Sequence, residues 1–194
     1  MVSSPPIRLP KTLRVTDEQF SDFVVANPDL RLERTATGEL IVMPPTGSES
    51  GNYNFELNTD LGIWNRQAQR GKAFDSSTGF RLPNGATRSP DSAWVTNERW
   101  EKLTPQQRKG FAPLCPDFVL ELASETDNLD TLRQKMHEYI GNGCRLGWLI
   151  IPKTKQVEVY RPEQAPEVLQ SPTSVSEETV LPGFTLNLRT IFGT

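Results

Sequence analysis

Apolar positions change their spacing from segment to segment along this chain, and the spacing predicts the elements. In 16–27, Phe20, Phe23 and Val24 share one side of a helical projection behind a capping-type Thr16. This predicts a helix closed by Pro28. Apolar runs at 30–33 and 39–43 flank Thr37-Gly38, the pattern of a β-hairpin, and Pro44-Pro45 closes its second strand. From 49 to 68, Tyr53, Leu57, Leu61, Trp64 and Ala68 recur at intervals of three and four, which predicts a long amphipathic helix ended by Gly71.

The second half alternates differently. Residues 73–82 and 87–96 read as strands joined by the turn Pro83-Asn84-Gly85, and 97–109 as a short polar helix carrying Trp100 and Leu103. Residues 118–123 read as a strand and 129–140 as a helix ended by Gly141. Two further strands, 145–151 and 156–161, flank a turn at 152–155. Residues 162–179 are rich in proline, serine and glutamate and read as a flexible surface loop; a short strand at 184–188 follows. The sum is an α/β (α+β) protein, a mixed sheet flanked by helices. The expected organisation is one domain over 1–194, with 1–15 as an N-terminal extension.

Composition narrows the function classes. A chain of 194 residues with 36% hydrophobic and 23% charged residues can bury a sizeable core. No apolar run approaches the roughly 20 residues that span a bilayer, and the start lacks a basic segment followed by an apolar one. The expectation is a cytoplasmic protein without a membrane partner. Cys115 and Cys144 have no metal-ligand spacing, and His137 is the one histidine, so zinc sites and serine–histidine or cysteine–histidine catalysis lack their parts. A net charge of −3 gives no overall basic footprint, although a local positive groove is compatible with it.

Candidate chemistry is acidic. Pro90-Asp91 and Pro116-Asp117 each open a strand, where a proline's missing donor does no harm. In 117–123, Phe118, Leu120 and Leu122 face one side, while Asp117, Val119, Glu121 and Ala123 face the other. A glutamate inside so apolar a strand needs a partner, and a metal ion or a cationic side chain serves equally well. Oxygens from two neighbouring strands are what Mg²⁺ prefers. Alternation alone leaves metal ligand and structural ion pair both open, with Asp117 as a lesser candidate.

The stretch FDSSTGFRLPNGATRSPDSAWV, followed by CPDFVLELASETDNLDTLRQKMHEYIGNGCRLGWLIIPKTKQVEVYRP, resembles the restriction-endonuclease family abundant in cyanobacteria, part of the PD-(D/E)XK nuclease superfamily. The resemblance runs from about Phe20 to Phe192. It rests on the combination of two strand motifs, a Lys135–Tyr139 spacing on the next helix, a WLI strand and a VEVYR strand. It implies a restriction-endonuclease-like fold with Asp91 and Glu121 as metal-binding acids. The Leu122 backbone carbonyl is then a further ligand, and Glu49 the helical acid, with Glu56 as a rival. The motif lysine would stand at 123, which is Ala123 here, so Lys135 becomes the candidate replacement. A histidine that often follows the helical glutamate is Ser50 in this chain.

The implied function is a Mg²⁺-dependent DNA endonuclease, with Mn²⁺ also admissible. Arg81, Arg88, Arg133 and Ser124 are the candidate phosphate contacts, and a homodimer would suit a two-stranded substrate. Ala123 and Ser50 favour the alternative, a nuclease-fold protein that binds nucleic acid or a protein partner without cleaving. Trp94, Trp100 and Trp148 are expected in the core.

Overall fold

The computed structural model describes residues 13–193. Most of the expected N-terminal extension lies outside the described residues. Of its remainder, Arg14 forms a β-bridge with Glu39, and Val15 is buried. Helix α1 (Asp17–Ala26) starts at Thr16 in a capping box with Gln19, and buries Phe20. Strands β1 (Arg31–Arg34) and β2 (Leu40–Met43) form the expected hairpin. Helix α2 (Ser48–Ala68) buries Leu57, Leu61 and Trp64, the centre of the expected stripe.

Helix α2 ends at Ala68, with Gln69 in the left-handed region as its cap, and not at Gly71. Gly71 instead opens β3 (Gly71–Asp75), where a Cβ would collide with the Trp94 ring and the Val95 carbonyl.

The two long strands expected at 73–82 and 87–96 are each broken in two. Strand β3 pairs with β6 (Ser92–Thr96), while β4 (Phe80–Arg81) pairs with β5 (Thr87–Arg88). The breaks have local causes. The Asp75 carboxylate turns back to accept the Ser77 N–H and O–H, and Pro90 lacks a ladder donor. Strand β5 then joins β1, so the outer half of the hairpin enters a second sheet, ordered β2-β1-β5-β4.

The expected helix at 97–109 is likewise two, α3 (Asn97–Glu101) and α4 (Pro105–Lys109), because Thr104 forms a capping box with Pro105 behind it and restarts the helix. Strand β7 (Phe118–Leu122), helix α5 (Leu129–Gly141) and strand β8 (Leu146–Ile151) form a β–α–β unit in which β7 and β8 run parallel. Gly141 is the last residue of α5, and Gly143, at φ +95°, makes the turn.

Strand β9 (Gln156–Tyr160) follows, as expected. The segment 162–179 is not a structureless loop. It carries β10 (Glu167–Gln170), paired with β9, and β11 (Ser174–Ser176), paired with β12 (Thr185–Asn187). These strands are mostly exposed, so no alternating apolar signal marks them. Helix α6 (Arg189–Phe192) ends the described chain.

The main sheet is ordered β10-β9-β8-β7-β6-β3. One face carries α2 and the C-terminal segment, with Phe118, Leu120 and Leu122 meeting Leu57, Trp64 and Phe184. The other carries α5, with Val119 and Ala123 meeting Met136 and Tyr139. The architecture is thus the expected mixed α/β one. Gly147 lets α5 sit close, since a Cβ there would lie 2.5 Å from Met136 Cε. Trp94 and Trp148 are buried and Trp100 packs against the core.

Candidate active site

Strand pairing brings the two acids together. Strands β6 and β7 are antiparallel with Ser92 opposite Leu120, so continuing the register by one residue sets Asp91 opposite Glu121. Cross-strand neighbours share a face. The Asp91 carboxylate is held in place by α2 and β7. Its Oδ2 accepts the Leu122 N–H at 2.8 Å, and its Oδ1 faces Asn54 Nδ2 at 3.4 Å. The Asp91 carbonyl accepts from Asn58 Nδ2 at 3.0 Å.

Glu121 is 4% exposed and points toward α5. Its Oε1 accepts from Lys135 Nζ at 2.9 Å and from the Tyr139 hydroxyl at 3.0 Å. Lys135 and Tyr139 are one helical turn apart and present one edge of α5 to β7. The Lys135 ammonium also lies 3.0 Å from Glu33 Oε1 on β1. Glu33 further accepts the Ser89 N–H at 2.9 Å and pairs with Arg88 at 3.1 Å.

The ionisation of the cluster follows from burial and neighbours. Burial pushes Glu121 up to about 7; Lys135 pulls the other way, and the nearby Asp91 and Glu33 charges add to the rise. Burial likewise raises Asp91, against the Leu122 N–H and the Lys135 and Arg31 charges. Burial alone would lower the Lys135 ammonium, but Glu121 and Glu33 hold it above the ordinary lysine value. Burial would raise Glu33, and Lys135, Arg88 and the Ser89 N–H bring it below the usual carboxylate range.

Asp91, Glu121, Leu122, Glu49, Ser124 and Lys135 all line one cleft of about 560 Å³. Glu49, in the first turn of α2, accepts the Tyr53 hydroxyl at 3.2 Å and stays exposed. Its rival Glu56 lines a different recess, beside Asp60 and Leu186. The Ser124 N–H donates to Asp127 Oδ2 at 2.8 Å, a turn contact made at the rim of the same cleft.

Three basic expectations need correction. Arg81 pairs with Asp17 and lines a separate recess near α4. Arg88 is 9% exposed and spent on Glu33 and Glu138. Arg133, on α5, pairs with Glu158 of β9 and with Asp130. Arg88 is buried and Arg133 is held by two acids, while Arg81 lies at another recess, and none of the three lines the Asp91–Glu121 cleft. Asp117 also drops out as a ligand: its carboxylate takes the Thr96 N–H and pairs with Arg99 and Arg145.

The sequence reading missed Glu33, Asn54, Asn58 and Arg31. Asn54 and Asn58 stand one residue after Tyr53 and Leu57, on the border of the α2 stripe, which is a legible signal. Glu33 has no comparable mark, because only sheet pairing brings β1 against α5. Arg31 lines the cleft and donates to the Ser76 carbonyl.

The residues present suit a divalent cation. Among the described residues no three His, Cys, Asp or Glu side chains converge as a complete ligand set. Asp91 and Glu121 offer two carboxylates from facing strand positions, with neutral oxygens beside them, the combination that suits Mg²⁺, which keeps several waters. Asn54 Oδ1, beside Asp91, is a buried acceptor without a hydrogen-bond partner, an oxygen that a cation at Asp91 would satisfy.

The family model described as "Putative restriction endonuclease", Uma2, matches residues 17–189. A crystal structure described as a putative nuclease belonging to DUF820, from Anabaena variabilis, superposes with a TM-score of 0.70 at 20% identity. The match covers 84% of this chain and 89% of that one, and at this identity it shows a shared fold. No curated protein matches the chain. With nearly the whole described chain matched by the family model, the protein belongs to the Uma2 family, the putative restriction endonucleases.

Proposed function

We propose that this protein is a Mg²⁺-dependent DNA endonuclease that hydrolyses phosphodiester bonds at the Asp91–Glu121 cleft, with Mn²⁺ able to replace Mg²⁺. The observation that carries the proposal is the convergence of Asp91, Glu121 and Lys135 from three elements into one cleft. Family membership supports nucleic acid as the substrate.

Asp91, Glu121 and the Leu122 carbonyl would hold the cation, with Glu49 and Asn54 beside them. Bound there, the ion would supply charge neutralisation at the scissile phosphate and acidify a water. The chain's own part is to keep both acids on one face by the β6–β7 register and to aim the Asp91 carboxylate through the Leu122 N–H. Lys135 fills the role that Ala123 cannot. Its ammonium arrives from α5 rather than from two residues along β7, and lies against Glu121. A cation fixed there can orient the attacking water or offset charge developing on the phosphate. Ser124 and Arg31 line the same cleft, and there they would meet substrate phosphates.

The test is cleavage of plasmid and single-stranded DNA with Mg²⁺, Mn²⁺ or EDTA, by the wild type and by Asp91→Asn and Glu121→Gln. Metal-dependent cleavage lost in both variants is the expected result. DNA binding that survives in all three proteins, with no cleavage in any metal, identifies instead a nuclease-fold binding protein and refutes the enzyme.

A further inference from the structure

Glu33 is 2% exposed, and each of its carboxylate oxygens is engaged by a different part of the molecule. Oε1 takes the Lys135 ammonium at 3.0 Å and the Ser89 N–H at 2.9 Å. Oε2 takes Arg88 at 3.1 Å. Ser89 is followed by Pro90 and Asp91, so the bond to its N–H fixes the approach to one acid of the site. Lys135 touches the other acid, Glu121. Glu33 itself does not line the cleft.

We infer that Glu33 is the positioning residue of the site, anchoring Lys135 and the 89–91 segment from outside the cleft. The inference rests on the nuclease reading. The physical reason concerns what happens when Glu121 is given over to a cation. Lys135 then loses a share of its attraction to Glu121, since the carboxylate is neutralised by its new partner. An ammonium held only by Glu121 would be repelled by the incoming ion and would swing along its flexible stem. Glu33, lying behind it, keeps the ammonium in place. Arg88 pairs with the other oxygen of Glu33, Oε2, and with Glu138 at 2.6 Å, so the Oε1 contacts to Lys135 and the Ser89 N–H do not run through it.

The experiment compares Glu33→Gln with Arg88→Gln. Both break the Glu33–Arg88 pair, so a merely structural role predicts similar losses of stability and similar kinetics. The positioning role predicts a split. E33Q keeps an acceptor for Ser89 but no charge for Lys135, and kcat falls ~10–100-fold with the KM for DNA unchanged. R88Q leaves the Glu33–Lys135 contact intact and keeps its kcat. A second readout is independent of turnover. With ¹⁵N-labelled lysine and Mg²⁺ added, the buried Lys135 ammonium should give an exchange-protected resonance in the wild type and in R88Q and lose it in E33Q, while without metal the Glu121 contact at 2.9 Å keeps it protected in all three. If E33Q does not fold, Glu33→Asp, which withdraws the carboxylate by one methylene, carries the same expectation.

Wild-type cleavage with E33Q turning over as fast as R88Q overturns this inference alone. An ammonium resonance equally protected in E33Q and wild type with Mg²⁺ present also overturns it. A wild type that cleaves no DNA in any metal overturns the nuclease reading, and the positioning role with it.

Discussion

Replacing Lys135 with methionine removes the one ammonium shared by two buried carboxylates, and the cost should depend on pH in a way that identifies Glu121 as the group left behind. Lys135 is 10% exposed and lies 2.9 Å from Glu121 and 3.0 Å from Glu33. Glu33 keeps Arg88 and the Ser89 N–H after the change; Glu121 keeps only the Tyr139 hydroxyl. Removing one partner of a buried pair costs ~3–5 kcal/mol when the remaining group must stay charged.

Glu121 has another course, since burial already pushes it up to about 7 and the loss of Lys135 pushes it higher. It keeps its proton in the variant. Above pH 7 the wild-type carboxylate is ionised in both folded and unfolded states, so its contribution is flat. The variant must take up a proton on folding, which costs ~1.4 kcal/mol per pH unit. The deficit of K135M should therefore be about 1 kcal/mol near pH 6 and reach ~3–5 kcal/mol near pH 9. For a chain of this size that is roughly 6–20 °C in Tm at the alkaline end. Thermal and urea unfolding in EDTA across this range measure it. The double variant K135M/E121Q, neutral at position 121 at every pH, should lose the pH dependence. A deficit that is constant with pH, or a double variant as unstable at pH 9 as K135M, refutes the account of Glu121.

The metal-free wild type should show its own pH profile. Glu121 has a folded value above its ordinary 4.5, so the folded state binds the extra proton and stability falls by about 3 kcal/mol as pH rises from roughly 4.5 to 7. Glu33 and Glu158 are lowered, and their contribution is present above about 4.5 and lost as pH falls through their folded values. A stability maximum near pH 4.5–5 is expected in urea unfolding, and a curve rising steadily to pH 7 contradicts it. Mn²⁺ at about a hundred times its Kd should add ~2.7 kcal/mol to the wild type and nothing to Asp91→Asn, read by thermal shift. Tyr139→Phe removes a donor to Glu121 and should cost ~1.5–3 kcal/mol at pH 8, where the carboxylate is charged, and less at pH 5.

Sequence periodicity determined what was local. The recurrences of three and four residues from Tyr53 to Ala68 set the buried stripe of α2. The alternation in 117–123 set Glu121 and Leu120 on opposite faces of β7, the faces that the fold covers with α5 and α2. These succeed because side-chain direction follows from backbone geometry within one element. Motif resemblance added the pairing of Asp91 with Glu121 and the choice of Lys135, and the cleft contains all three.

Tertiary structure decided what depends on chain segments far apart in sequence. Arg88 looks like a free cation by composition, but β5 buries it between Glu33 and Glu138. Glu33, in an ordinary hairpin strand, becomes a neighbour of the site only because β1 joins β5 and faces α5. The strand segments at 73–82 and 87–96 divide between two sheets because Asp75 and Pro90 interrupt the ladder and β1 competes for the outer half. An ionised side chain takes whichever partner the packed fold brings within about 3 Å, and no periodicity along the chain encodes that distance.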